Sequence, residues 1–155
     1  MSSVDGIIRE AVEADFDQAM VLYRELGGPD NVDLGEAGQN HWRCVLQHPG
    51  TTVFCLEQGG RISSIMTLHV LPNTTHLGRP YALIENVVTL KSLQGRGLGR
   101  RLMQHVIDVA WAQDCYKIML LTGQHVGARG FYERLGFTAD EKFGMTLRRI
   151  PVRKA

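Results

Sequence analysis

The residues best suited to chemistry in this chain lie between Leu83 and Arg101. Leu83-Ile84-Glu85-Asn86-Val87-Val88-Thr89-Leu90 is an apolar run carrying one carboxylate. Gln94-Gly95-Arg96-Gly97-Leu98-Gly99-Arg100-Arg101 follows it and opens into a long amphipathic stretch. A strand, a glycine-rich turn and a helix start together make an anion site. The first N–H groups of a helix have no intrahelical partner, and the helix dipole adds partial positive charge there. Glycines let that backbone approach a phosphate closely, and Arg96, Arg100 and Arg101 bring further positive charge. These residues predict a pyrophosphate cradle.

Two familiar cradles are excluded by spacing. The dinucleotide fingerprint needs a third glycine at the sixth position, where this chain has Arg100 or Leu102 depending on register. The nucleoside-triphosphate loop needs Gly-Lys-Ser/Thr, which is absent. Gln94-x-x-Gly97-x-Gly99 remains, and it resembles the acyl-coenzyme-A signature of the GNAT superfamily of N-acetyltransferases. A second element strengthens the resemblance. Phe131-Tyr132-Glu133-Arg134-Leu135-Gly136-Phe137 is similar to the segment that closes the GNAT core. The resemblance runs over roughly residues 80 to 148, with Ile7 to Ala11 similar to the first strand.

The resemblance implies acetyl transfer from acetyl-coenzyme A (acetyl-CoA) to a primary amine, directly and without an acyl-enzyme. Gln94, Gly95, Arg96, Gly97, Leu98, Gly99 and Arg100 would hold the coenzyme. A backbone N–H near Val87 or Val88 would polarise the thioester carbonyl, at a bulge that the family places in this strand. Glu85 is the candidate general base, because partial burial in an apolar strand would raise its pKa toward a useful value. The alternative is a solvated or ion-paired strand carboxylate. Asn86 is the competing candidate for substrate contact if a bulge reorients the strand. Tyr132 is the candidate general acid, since a phenol can protonate a departing thiolate; otherwise it is a core tyrosine with its hydroxyl at the surface. Related proteins often carry an asparagine where this chain has Ala128, so Gln124, His125 or Arg129 is expected to take over that coenzyme contact.

Other reactive side chains offer less. The six histidines show no zinc spacing, and no metal is expected. His69 is read as an ordinary strand histidine, the alternative being a residue that lines the pocket. Cys44, Cys55 and Cys115 follow no disulfide framework and fit reduced thiols, with no base beside them to make a nucleophile.

The elements that position these groups can be read from periodicity. The chain has 155 residues, expected to form one domain over 1–155, and a net charge of +1 gives no electrostatic case for nucleic acid or membrane. Residues 1–9 show no apolar leader, so a cytoplasmic protein is expected. A strand is predicted over 6–11, a helix from a capping Asp15 to Leu26, and a helix over 35–47. A hairpin over Thr51–Glu57 and Arg61–Leu71 should turn at Gln58-Gly59-Gly60. Then come a strand over 81–90, a helix over 98–112 with Leu98, Leu102, Val106 and Val109/Ala110 inward, a strand over 116–122, a short helix over 126–134 and a strand pair over 137–149. This order predicts a mixed α/β (α+β) fold with helices on both faces of the sheet, and the GNAT resemblance implies a mostly antiparallel one. The expected partner is a small-molecule amine, with a homodimer left open. A protein or peptide N-acetyltransferase and a non-catalytic acyl-CoA sensor are the alternatives. Short segments, Ile84 to Val88 among them, look similar to glucosamine-6-phosphate N-acetyltransferases, although Asn86 stands where that group is acidic.

Overall fold

Strand pairing follows chain order. β1 (Ile7–Glu10), β2 (Thr51–Gln58), β3 (Arg61–Leu71) and β4 (Tyr81–Thr89) pair antiparallel, and β5 (Ile118–Met119) joins β4 in parallel. The computed structural model describes residues 6–124 and 127–151. They fall into two compact units, one reaching Leu120 and one starting at Leu121. The hairpin between β2 and β3 turns on Gly59 and Gly60, both at positive φ, as a two-residue connection requires.

Alternation along the strands gives the first unit two buried faces. α1 (Phe16–Gly27) and α2 (Glu36–Gln47) cover one of them. Phe16, Ala19, Met20, Leu22 and Trp42 pack there with Val53, Cys55, Ile65 and Val88. Phe54 points the other way, its ring 5.4 Å from His105 of α3 (Leu98–Ala112). α3 buries Leu98, Leu102, Met103, Val106, Ile107 and Ala110. Met103 and Ile107 widen the predicted stripe, while Val109 is only half-buried. Each large apolar side chain buried this way stabilises the fold by about 1.5–3 kcal/mol. This is the predicted mixed α/β architecture.

Four local expectations change. Asp15 does not cap α1. It is buried, accepts the Val12 N–H at 2.7 Å and pairs with Arg9. The strand expected over 116–122 shrinks to Ile118–Met119, because β4 bulges just beyond the paired Ala82 and Leu83. In the second unit, the short helix is α4 (Arg129–Glu133); the predicted start at Val126 lies outside the described residues. The strand pair predicted over 137–149 does not form. Phe143, Met145 and Leu147 alternate as a strand would, but all are fully exposed. Alternation is a local signal, and without a paired strand or a buried face it stabilises nothing.

No helix among the described residues is long and apolar enough to cross a membrane.

Candidate functional site

β4 is where the sheet stops being regular. Thr67 pairs with Glu85 and Ile65 with Val88, so two β3 steps oppose three on β4. The extra residue makes a bulge over Glu85, Asn86, Val87 and Val88. Asn86 takes up the distortion at φ +53, in the left-handed region that asparagine tolerates better than most residues. This is the bulge that the resemblance implied, and Asn86 is exposed on it. β5 leaves β4 after the Leu83 and Met119 pair. From Ile84 onward, that side of β4 has no strand partner among the described residues. Backbone groups near Val87 and Val88 therefore border an open edge, where a thioester carbonyl could be hydrogen-bonded. Val88's side chain stays in the core, and its carbonyl accepts the Ser64 hydroxyl at 3.2 Å.

Glu85 is half-buried on the face covered by α1 and α2. It makes no ion pair or hydrogen bond with the described residues. Opposite it, Thr67 is 2% exposed, and its hydroxyl faces the Tyr23 phenol of α1. Tyr23 is partly buried against this face, and desolvation pushes its phenol up to about 12. Sequence reasoning missed Thr67 as a neighbour of Glu85. Only the register reveals it, since the two lie far apart in the chain.

The glycine-rich turn expected before the long helix is present at the start of α3. Gly95 and Gly97 stand at φ +76 and +79, where an L side chain would be strained. An ideal Cβ at either glycine would meet nothing within 4 Å. The requirement is therefore the backbone turn and the open space above it. Gly97 caps α3 without a side-chain hydrogen bond, and the first helical bond runs from Arg101 N–H to the Gly97 carbonyl at 3.0 Å. Earlier N–H groups of the turn stay available for an anion. Leu98 is buried, so it offers only its backbone. Arg96 and Arg100 are exposed. An open depression of about 510 Å³ adjoins this end of α3, lined by Gly97, Arg100, Arg101, Gln104, His105 and Asp108. Gln94 is exposed on this loop. Its carboxamide donates to the Thr89 carbonyl at 3.1 Å, fastening the loop to the end of β4. These features suit the pyrophosphate of acetyl-CoA.

In the second unit, Tyr132 is half-buried on α4, edge-on to the rings of Phe131 and Phe137. Burial pushes its phenol up, so the proton is retained. Gly136 at φ +95 ends this turn in the left-handed conformation that glycine adopts without strain. Ala128 precedes α4 and supplies no side-chain cap. The Arg129 guanidinium, mostly exposed, pairs with Glu133 at 2.6 Å and Asp140 at 3.7 Å. Gln124 is exposed, and His125 lies outside the described residues.

The two buried thiols, Cys55 and Cys115, are poor nucleophiles. Burial pushes Cys55 up to about 11 and raises Cys115 as well. No cluster of three or more His, Cys, Asp or Glu side chains able to hold a metal is found among the described residues.

Comparison with known proteins adds the lineage. A glucosamine 6-phosphate N-acetyltransferase of Trypanosoma brucei brucei is 37% identical over 92 residues, covering 59% of this chain and 61% of that protein. One from Candida albicans is 31% identical over 101 residues, covering 63% and 64%. The chain thus spans about three-fifths of the length of these curated relatives. A solved structure from Agrobacterium tumefaciens strain C58 is 40% identical with a TM-score of 0.86, covering 92% of this chain and 99% of the other. An acetyltransferase of Trypanosoma brucei is 27% identical with a TM-score of 0.81, covering 93% and 99%. Residues 8–137 match the Acetyltransferase (GNAT) family, and this chain belongs to it.

Proposed function

We propose that this chain transfers the acetyl group of acetyl-CoA directly to the primary amine of a small molecule. The observation that carries the reading is the bulge at Asn86, which leaves an open β4 edge beside a half-buried, unpaired Glu85. Glu85 takes the ammonium proton, directly or through a water, and the resulting amine attacks. An N–H near Val87 or Val88 bonds to the carbonyl oxygen as negative charge develops there. Asn86 is exposed at the bulge, where it contacts the acceptor. Tyr132 gives its proton to the departing thiolate. Raised Cys55 and Cys115 pKa values agree with direct transfer rather than an acyl-enzyme.

This reading takes residues 1–155 as one catalytic domain, and the family match across 8–137 supports that. A cytoplasmic setting and a homodimer belong to the same proposal. For the acceptor, the named relatives favour an amino-sugar phosphate as the first compound to test. Asn86, acidic in that group, keeps other small polar amines in contention.

The test is an amine panel of glucosamine 6-phosphate, amino acids, polyamines and N-terminal peptides, incubated with acetyl-CoA and read by thiol release. Acetylation of a small amine is expected. Turnover on peptides alone would replace this reading with the peptide alternative. Binding of acetyl-CoA without turnover on any amine would leave the sensor.

A further inference from the structure

A chain of hydrogen-bonded polar side chains, His48, Thr51 and His69, runs along the Glu85 face of the sheet and stops one diagonal step short of Glu85. It begins where α2 ends. Pro49 and Gly50 reverse the chain, the Thr51 N–H donates to the His48 carbonyl at 3.1 Å, and Gly50 adopts φ +77. The Gly50 carbonyl accepts the Val70 N–H at 2.7 Å, so the turn is tied to β3. This fixes Thr51 Oγ1 between two imidazoles, 3.1 Å from His48 Nδ1 and 2.8 Å from His69 Nδ1. A hydroxyl has one proton. When Thr51 donates to one Nδ1, it accepts from the other, so the two neutral rings carry opposite Nδ1 states.

The line starts in solvent and ends beside Glu85. His48 is exposed, and Thr51 and His69 are half-buried. His69 stands in register between Thr51 on β2 and Leu83 on β4. Glu85 is two residues beyond Leu83 and shares its face. His69 and Glu85 are therefore diagonal neighbours, a separation of about 7–8 Å between Cα atoms that long side chains and one water can span. His69 Nε2 has no hydrogen-bond partner among the described residues.

We propose that His69, Thr51 and His48 carry the reaction's surplus proton from Glu85 to solvent. This rests on the reading of Glu85 as the base. An ammonium that becomes a neutral amide gives up two protons, and the departing thiolate takes one. One proton per turnover must therefore leave the site. Glu85 passes it through a water to His69 Nε2. His69 releases its Nδ1 proton to Thr51 Oγ1, the hydroxyl proton moves to His48 Nδ1, and His48 loses its Nε2 proton to bulk water. Every bond broken is matched by one formed, and no other reactant is needed. Tautomer exchange with water resets the rings.

The experiment compares the parent with Thr51→Val, Thr51→Ser, His69→Gln and Glu85→Gln. Acetylation of glucosamine 6-phosphate, with spermidine and lysine in parallel, is followed at low buffer concentration and then with added imidazole. Thr51→Val keeps the shape and strand preference of the site but removes the hydroxyl. It is expected to lower kcat about tenfold at low buffer, a milder loss than removal of a direct acid or base. KM for acetyl-CoA should not change, and imidazole should restore the rate. Thr51→Ser should behave as the parent, and His69→Gln as Thr51→Val. ¹⁵N-histidine NMR of the folded protein provides a readout without substrate. Opposite Nδ1 states at His48 and His69 are expected in the parent and should be lost in Thr51→Val. A Thr51→Val kcat equal to the parent's, or a loss that imidazole does not restore, overturns the relay. If that happens while Glu85→Gln is strongly impaired, the relay alone fails. Glu85→Gln at the parent rate removes the base and the relay with it.

Discussion

Tyr132 and Tyr23 are both held protonated by burial, with opposite consequences for function and stability. A raised phenol pKa keeps Tyr132 a proton donor through the neutral range and beyond pH 10. Tyr132→Phe is expected to lower kcat by about 10²- to 10⁴-fold, the usual worth of a positioned acid. Coenzyme affinity by calorimetry should hardly move, because the ring and its packing on Phe131 and Phe137 are kept. An unchanged kcat would return Tyr132 to a purely structural role. Tyr23 has its effect on the fold. Its folded pKa, about 12, exceeds the ordinary value of 10.0. The folded state therefore holds the proton more tightly than the unfolded chain. The stability this adds is complete below pH 10 and is lost as pH rises from 10 toward 12, on the order of 2 kcal/mol. Urea unfolding of the parent should show that alkaline decline, and Tyr23→Phe should flatten it.

The same division between local signal and non-local partner appears among the elements. Gly95 and Gly97 were legible because a strand, a turn and a helix start are consecutive in the chain, and their positive φ values confirm the turn. Gly97→Val places a β-branched residue at φ +79, strains the loop by about 1–2 kcal/mol and sets a side chain over the free N–H groups. The protein should stay folded by circular dichroism while coenzyme A affinity falls at least tenfold, and parent affinity in the folded variant would refute the cradle. Helices α1 to α3 and the β2–β3 hairpin were legible for the same reason, each being set by a periodic run and its flanking turn residues. The bulge was not. Nothing within Ile84 to Val88 shows that Asn86 adopts φ +53; the pairing of Thr67 with Glu85 and Ile65 with Val88 reveals it. Thr67 beside Glu85, and His69 beside Thr51, were hidden likewise, because register joins residues far apart in sequence. The expected strands over 137–149 failed in the opposite direction, a strand pattern at Phe143, Met145 and Leu147 without a partner to complete it.

Across the first unit, one guanidinium ties the sheet to the helical layer. Arg9 on β1 reaches Glu57 on β2 at 2.7 Å and Asp15, just before α1, at 2.7 and 2.9 Å. Asp15 also accepts the Val12 N–H, and its side chain is only 7% exposed. Hydrogen bonds from Arg9 hold the Asp15 carboxyl below the usual carboxylate range, against the upward push of burial. The unfolded chain therefore binds this proton at higher pH than the folded protein does. The stability contributed is complete above the ordinary value of 3.8 and is lost as pH falls through the depressed folded value. Removing only the cation is more damaging than neutralising the anion, because it leaves a buried charge without its partner. Arg9→Met should cost about 3 kcal/mol at neutral pH and move the acid unfolding midpoint upward. Asp15→Asn should cost less and weaken the dependence on pH below 4. Acid titrations of the three proteins by tryptophan fluorescence test this directly, since Trp42 lies in the same core and its indole N–H donates to the Val12 carbonyl at 3.3 Å. If Arg9→Met unfolded at the parent's acid midpoint, β1 and α1 would be joined by apolar packing alone. The site on β4 would then gain no rigidity from this ion pair.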